Sequence, residues 1–195
     1  MDLRETSPIP AAALPVAELR DHLRLSSGFS DDTTQDALLE QYLRAAIASI
    51  EGRVSRALYQ RGYVLRLARW RDGYAERLPI APVVSVESLT LIDRDGSEIV
   101  VDPARYALDA DGMRPRLEAA GTALPGIPTR GAVEIAFTAG FGLAWEDIPA
   151  DLRQAVLLLA AQYYEDREAG GDDDMGFAIR ALLERWRDLR HGGRG

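Results

Sequence analysis

The residues best equipped for chemistry lie in the last third of the chain. Glu165, Asp166 and Glu168 cluster beside Tyr163 and Tyr164, and paired carboxylates can divide acid and base roles in a hydrolysis. Nothing else in the sequence assembles around them. The two histidines, His22 and His191, are far apart, and there is no lysine. No serine has the glycine-flanked strand-to-helix context that exposes a nucleophile. Acids at a helix end also pair with arginines, here Arg167. A carboxylate-based hydrolase is therefore the lesser reading, and no catalytic residue is assigned.

A second stretch, "AFTAGFGLAWEDIPADLRQAV" (136–156), runs from an expected strand through Gly140-Phe141-Gly142 into an expected helix. Phosphate-binding loops are built in that order, but two requirements fail. A dinucleotide fingerprint needs a third glycine where Trp145 stands, and a P-loop needs a lysine. Glu146, Asp147 and Asp151 also crowd the helix start, where acids complement the helix dipole and compete with phosphate. The glycines read as a corner in the chain, and no cofactor is expected.

Two D-x-D-G fragments, Asp93 to Gly96 and Asp109 to Gly112, resemble pieces of a calcium loop. The acid required two residues earlier is replaced by Leu91 and Ala107. Asp-Gly between β-rich runs reads better as a hairpin turn. Asp172-Asp173-Asp174, set among glycines, reads as a solvated loop. No metal site is assigned.

Composition narrows the classes further. A chain of 195 residues with 47% apolar content can bury one core, with room for a sub-lobe. The longest apolar run, Ala155 to Ala161, falls far short of the roughly 18 residues a membrane span needs. The start, MDLRETSPIP, does not read as a secretion signal. With no cysteine, disulfides and thiolate metal sites are excluded. A net charge of −8, with every basic residue an arginine, disfavours gripping nucleic acid by its phosphates.

The elements that must position these residues follow from periodicity. Residues 1–14, with Pro8 and Pro10, read as an N-terminal arm, either disordered or extended along a neighbour. Val16, Leu19 and Leu23 predict a short helix after Pro15, stopping near Ser26-Ser27-Gly28. Asp32 and Gln35 resemble a capping box for a long helix over 33–58, with one stripe from Leu39 to Leu58. The period then changes to two. Strands are expected at YVLRLARW, at 82–93 with a bulge at Glu87-Ser88, at 98–101 after Asp95-Gly96, at Tyr106 to Leu108, and at Ala132 to Phe137. A helix follows from Pro149 to about Arg167, and a last one over about 175–190. The fold class is α+β: a helical lobe (15–60 and 147–191) of about four helices. A small antiparallel sheet, the β-excursion 61–140, is inserted between the second and third helices.

Two features stand out as surfaces. The 150–168 helix is apolar nearly all round, and such a helix must be covered on all sides. Its cover is either a neighbouring subunit, with Val156, Leu157 and Leu159 at the interface, or the core of its own chain. At the C-terminal end five arginines, Arg180, Arg185, Arg187, Arg190 and Arg194, oppose only Glu184 and Asp188. Trp186 stands among them, and arginine and tryptophan are enriched at binding hot spots. Arg180, Arg185, Trp186, Arg187 and Arg190 are thus either a partner-binding surface or a solvated helix face. A small acidic binding module using this helix is the alternative function.

Taken together, "VAELRDHLRL", "DDTTQDALLEQYLRAAIASIEGRVSRAL", "LPIAPVVSVESLTLID" with its Asp-Gly turn, and "FTAGFG" followed by "IPADLRQAVLLLAAQYYEDRE" carry a resemblance. It extends over about residues 15–168. The chain resembles the head–tail connector (adaptor) proteins of tailed bacteriophages, including the related protein of gene transfer agents. The resemblance implies a structural protein and not an enzyme. About a dozen copies would form a ring between the portal and a tail-side connector or stopper protein. The ring would extend a channel through which DNA passes without specific binding. The C-terminal segment would engage the portal. The protein would reside at the neck of a virion or phage-like particle assembled in the bacterial cytoplasm.

Overall fold

The computed structural model describes residues 1–25, 32–166 and 175–187. The chain divides into two compact units. One comprises Met1–Pro8 and Tyr59–Phe141, the other Ile9–Leu58 and Gly142–Gly195. The first carries the strands and the second the helices, so the fold class is α+β with the β-rich excursion lying in sequence between the second and third helices.

The helical unit contains α1 (Val16–His22), α2 (Asp32–Val54), α3 (Ala150–Asp166) and α4 (Phe177–Leu183), the last continued by a 3₁₀ turn at Glu184–Trp186. Leu39, Leu43, Ala46, Ile47, Ile50 and Val54 recur at three- and four-residue spacing along α2 and are buried. They form the stripe expected of a core-facing helix. This stripe packs on α3, whose Leu152, Ala155, Val156, Leu159 and Ala160 are also buried. Each fully buried Leu, Ile or Val contributes about 1.5–3 kcal/mol. Further along, Tyr42 meets Tyr164 edge-on with ring centroids 6.0 Å apart. Ser49 Oγ lies 3.0 Å from the Tyr163 hydroxyl.

α2 stops at Val54, four residues before the expected end at 58. Ser55 takes a left-handed φ of 54°, which an L-residue adopts as a single helix-ending step and not within a helix. Leu58 stays buried beyond the break, its N–H donating to Glu51 Oε1 at 2.7 Å. α1 ends at His22, with Arg24 at a left-handed φ of 55°, ahead of the expected stop near Ser26-Ser27-Gly28. The Asp32 side chain of the expected capping box lies outside the described residues.

The β-rich unit holds two antiparallel sheets where one was expected. The larger has the order β1 (Asp2–Glu5), β2 (Arg61–Leu67), β8 (Ala132–Ala139), β4 (Val83–Ile92), β5 (Glu98–Val100). At its centre β8 alternates strictly, with Val133, Ile135, Phe137 and Ala139 on the buried face. Phe137 lies between Tyr63 of β2 and Val86 of β4, and its ring stacks on Tyr63 at 5.6 Å. The β4–β8 register shifts between Val86 and Ser88, at the bulge expected from the sequence. The smaller sheet, in the order β3 (Ala75–Arg77), β7 (Arg116–Ala119), β6 (Tyr106–Asp109), includes the second Asp-Gly hairpin.

Residues 2–5, read from sequence as part of an arm, instead form an edge strand on β2, with Asp2 opposite Arg66 and Glu5 opposite Tyr63. Arg61 provides the physical tie: its buried Nε lies 2.9 Å from Glu5 Oε1. The same guanidinium sits 5.4 Å from the Tyr63 ring centroid. Ladder hydrogen bonds and a carboxylate partner for a nearly buried arginine together outweigh the entropy of a free tail.

Candidate functional site

The Gly140-Phe141-Gly142 corner is where the chain passes from the β-rich unit to the helical one. Gly140 has φ 134° and its N–H donates to Pro82 O at 2.9 Å. A Cβ there would run into the backbone of Tyr59 and Gln60, so only glycine fits. A Cβ on Gly142 would meet the Asp147 side chain. That carboxylate already accepts the Ala144 N–H at 3.0 Å. Both glycines thus serve close packing at the corner, Gly140 against backbone and Gly142 against the Asp147 side chain.

The aspartates of the two D-x-D-G fragments close turns. Asp95 Oδ1 accepts the Ser97 N–H at 2.9 Å, and that backbone bond, with one from the Ser97 side chain, holds the Asp95 carboxyl below its usual range. Asp111 Oδ1 accepts the N–H groups of Met113 and Arg114 at 2.7 and 2.8 Å, which lower its pKa in the same way. Among the described residues, no three His, Cys, Asp or Glu side chains gather as a metal site, and no helix is long and apolar enough to cross a membrane. Glu165 is exposed near the end of α3, while Arg167, Glu168 and Asp172-Asp173-Asp174 lie outside the described residues.

Two of the C-terminal candidates, Arg185 and Trp186, converge on Asp151, an acid that the sequence places only at the helix start. Asp151 Oδ2 accepts the Trp186 indole N–H at 2.7 Å and pairs with Arg185 Nε at 2.7 Å. The Arg185 guanidinium lies 4.7 Å from the Trp186 ring centroid, a cation–π contact. A groove of about 480 Å³ lies beside this latch, lined by Asp151, Ala181, Leu182, Glu184 and Arg185. Arg187 is not part of the latch; it pairs with Glu184 at 3.3 Å. Arg180 is half-buried on α4. Arg190 and Arg194 lie outside the described residues. The excess of positive charge read from sequence is thus reduced by two ion pairs, one of them to a residue 34 positions earlier.

The apolar helix α3 finds its cover within its own unit, against α1, α2 and α4. Val156 and Leu159, expected at a subunit interface, are buried in that core and have no surface to offer a neighbour. Leu157, the third candidate, is half-exposed, as is Leu158. Periodicity alone could not separate these positions, because both faces of the helix carry apolar residues.

Several exposed apolar residues escaped the sequence reading. Ile99 and Val100 on β5 are 65% and 69% exposed, Leu143 is 72% and Phe177 is 81%. Ile99 and Val100 look like an ordinary strand in sequence. What reveals them is that, among the described residues, no further strand lies beside β5.

No protein-family model and no curated protein matches the sequence. Solved structures do. A chain in the neck of an empty gene transfer agent (GTA) particle, computed with C6 symmetry, is 55% identical over the whole of both chains, with a TM-score of 0.91. A chain in the neck of a native GTA particle, computed with C12 symmetry, is 52% identical, again with full coverage of both, at 0.86. A chain from the virion of a native GTA particle is 55% identical with full coverage at 0.88.

Proposed function

We propose a role as a ring-wall subunit of a particle neck for this chain, which belongs to the head–tail connector (adaptor) family of tailed bacteriophages and gene transfer agents. The carrying observation is likeness along the entire chain, at 52–55% identity, to neck chains of GTA particles. The role is structural. About a dozen copies form a closed ring, a reading supported by the sixfold and twelvefold symmetry of those necks. The ring stands between a portal and a tail-side protein and continues the DNA channel. An acidic chain of net charge −8 suits a wall along which DNA slides without being held.

Portal contact is assigned to the C-terminal segment, with Arg180, Arg185, Trp186, Arg187 and Arg190 as its residues. The exposed Arg185 side chain beside Trp186 supports this assignment, since Arg–Trp pairs are common anchors. Native mass measurement of the chain with and without portal tests the role: a discrete multimeric complex with portal is expected, and no association at all overturns it. Truncation after Asp174 tests the docking segment. Unchanged portal binding by the truncated chain would remove these five residues from the interface.

A further inference from the structure

Among the described residues, no further strand pairs with either edge of the five-stranded sheet, β5 or β1. On β5 the adjacent residues Ile99 and Val100 point to opposite faces, yet both are about two-thirds exposed. The strand is therefore bare on both faces as well as along its rim. Its backbone directions follow from the ladder. Val101 N–H donates to Leu89 O and Asp93 N–H to Ser97 O. By alternation, Ile99 faces β4 while the N–H and C=O of Glu98 and Val100 point outward. At the other end, Thr6 N–H donates to Gly62 O, which leaves the backbone groups of Leu3 and Glu5 pointing outward from β1. Soluble proteins blunt such edges with lysine, proline or a bulge. β5 carries only Glu98.

The ring proposed above requires a head-to-tail contact, in which one patch of a subunit meets a different patch of the next. The two edges of one sheet are such a pair. All four neighbouring pairs in the sheet are antiparallel, so β1 and β5 run in the same direction. Copies repeated around a ring with strands along its axis bring them together in parallel. We propose that β5 of one copy pairs with β1 of the next, so that the sheets join around the ring. The register is set by the one apolar residue of β1: Leu3 falls beside Ile99. Val100 N–H then donates to the C=O of the partner's Leu3, and Val100 C=O accepts from the N–H of the partner's Glu5.

This inference rests on the ring reading, and its test separates the two. The chain has no cysteine, so introduced thiols report only on themselves. Within one copy β1 and β5 are about 19 Å apart, four strand spacings, too far for a disulfide. Rings carrying both Leu3→Cys and Ile99→Cys, recovered from particles and mildly oxidised, should give a ladder of covalent multimers on a non-reducing gel. Either single variant should give none. Rings without a ladder would overturn the edge pairing and leave the ring standing; the absence of rings from the wild-type chain would overturn both. Val100→Pro supplies a second reading, because it removes only an outward N–H. Circular dichroism and the melting temperature should stay as in the wild type while ring assembly drops at least tenfold. Rings that assemble normally with this variant would overturn the proposal.

Discussion

The Trp186 indole N–H and the Arg185 guanidinium share one oxygen of Asp151, each at 2.7 Å, so the end of the C-terminal helical segment is latched to the first turn of α3. The segment assigned to the portal thus has an anchor within its own unit. Docking through Trp186 must carry the latch along or break it.

Asp151→Ala should release the segment. Hydrogen bonds to a charged group contribute about 1.5–3 kcal/mol, and partial exposure of the pair reduces the loss to roughly 1–2 kcal/mol. The urea midpoint should fall and tryptophan emission should shift to the red. An unchanged spectrum would mean the latch is not formed in solution.

Two glycines should respond in opposite directions to alanine. Gly140→Ala forces a side chain against the Tyr59 and Gln60 backbone at a positive φ, and strain of that kind costs more than about 2 kcal/mol. Gly52→Ala places a methyl in open space on α2 and should stabilise by about 0.5–1 kcal/mol. Thermal melts of the two variants check both signs.

Leu159→Ala and Leu157→Ala should separate core from surface on α3. Emptying the buried Leu159 site should cost about 2–5 kcal/mol. At half-exposed Leu157 the loss should stay under about 1.5 kcal/mol. Denaturant titration measures both. A larger effect of Leu157→Ala on ring assembly than on unfolding would identify it as the position of this helix that meets a neighbour.

The Asp111 turn should weaken in acid. Its carboxyl has a depressed pKa because the N–H groups of Met113 and Arg114 favour the charged form. The unfolded chain therefore binds the proton more tightly. The contribution is complete above the unfolded value, near pH 4, and is lost as pH falls through the lower folded value. Carbon-detected NMR titration should place Asp111 below an ordinary aspartate. Asp111→Asn should flatten stability against pH below about 4.

Much of this architecture is legible in the chain because it depends on neighbours in sequence. The α2 stripe from Leu39 to Val54, the Asp95-Gly96 hairpin with its Gly96 φ of 87°, and the bulge by Ser88 are all local patterns. The end of α2 was misplaced because Ala57 and Leu58 continue the apolar rhythm after Ser55 has left the helix. β1 and β3 were missed because three or four residues carry too little alternation to register, and both are held by a strand distant in sequence.

The candidate surfaces divide in the same way. Residue types and spacing alone located the Arg–Trp segment, the corner at Gly140 and the apolar run of α3, since each is a property of consecutive residues. Tertiary structure decided which of them remain available. It took Val156 and Leu159 into the core, tied Arg185 and Trp186 to Asp151, and left Ile99 and Val100 bare at a sheet edge. Burial and exposure depend on which distant segment arrives alongside, and no local pattern in the chain encodes that arrival.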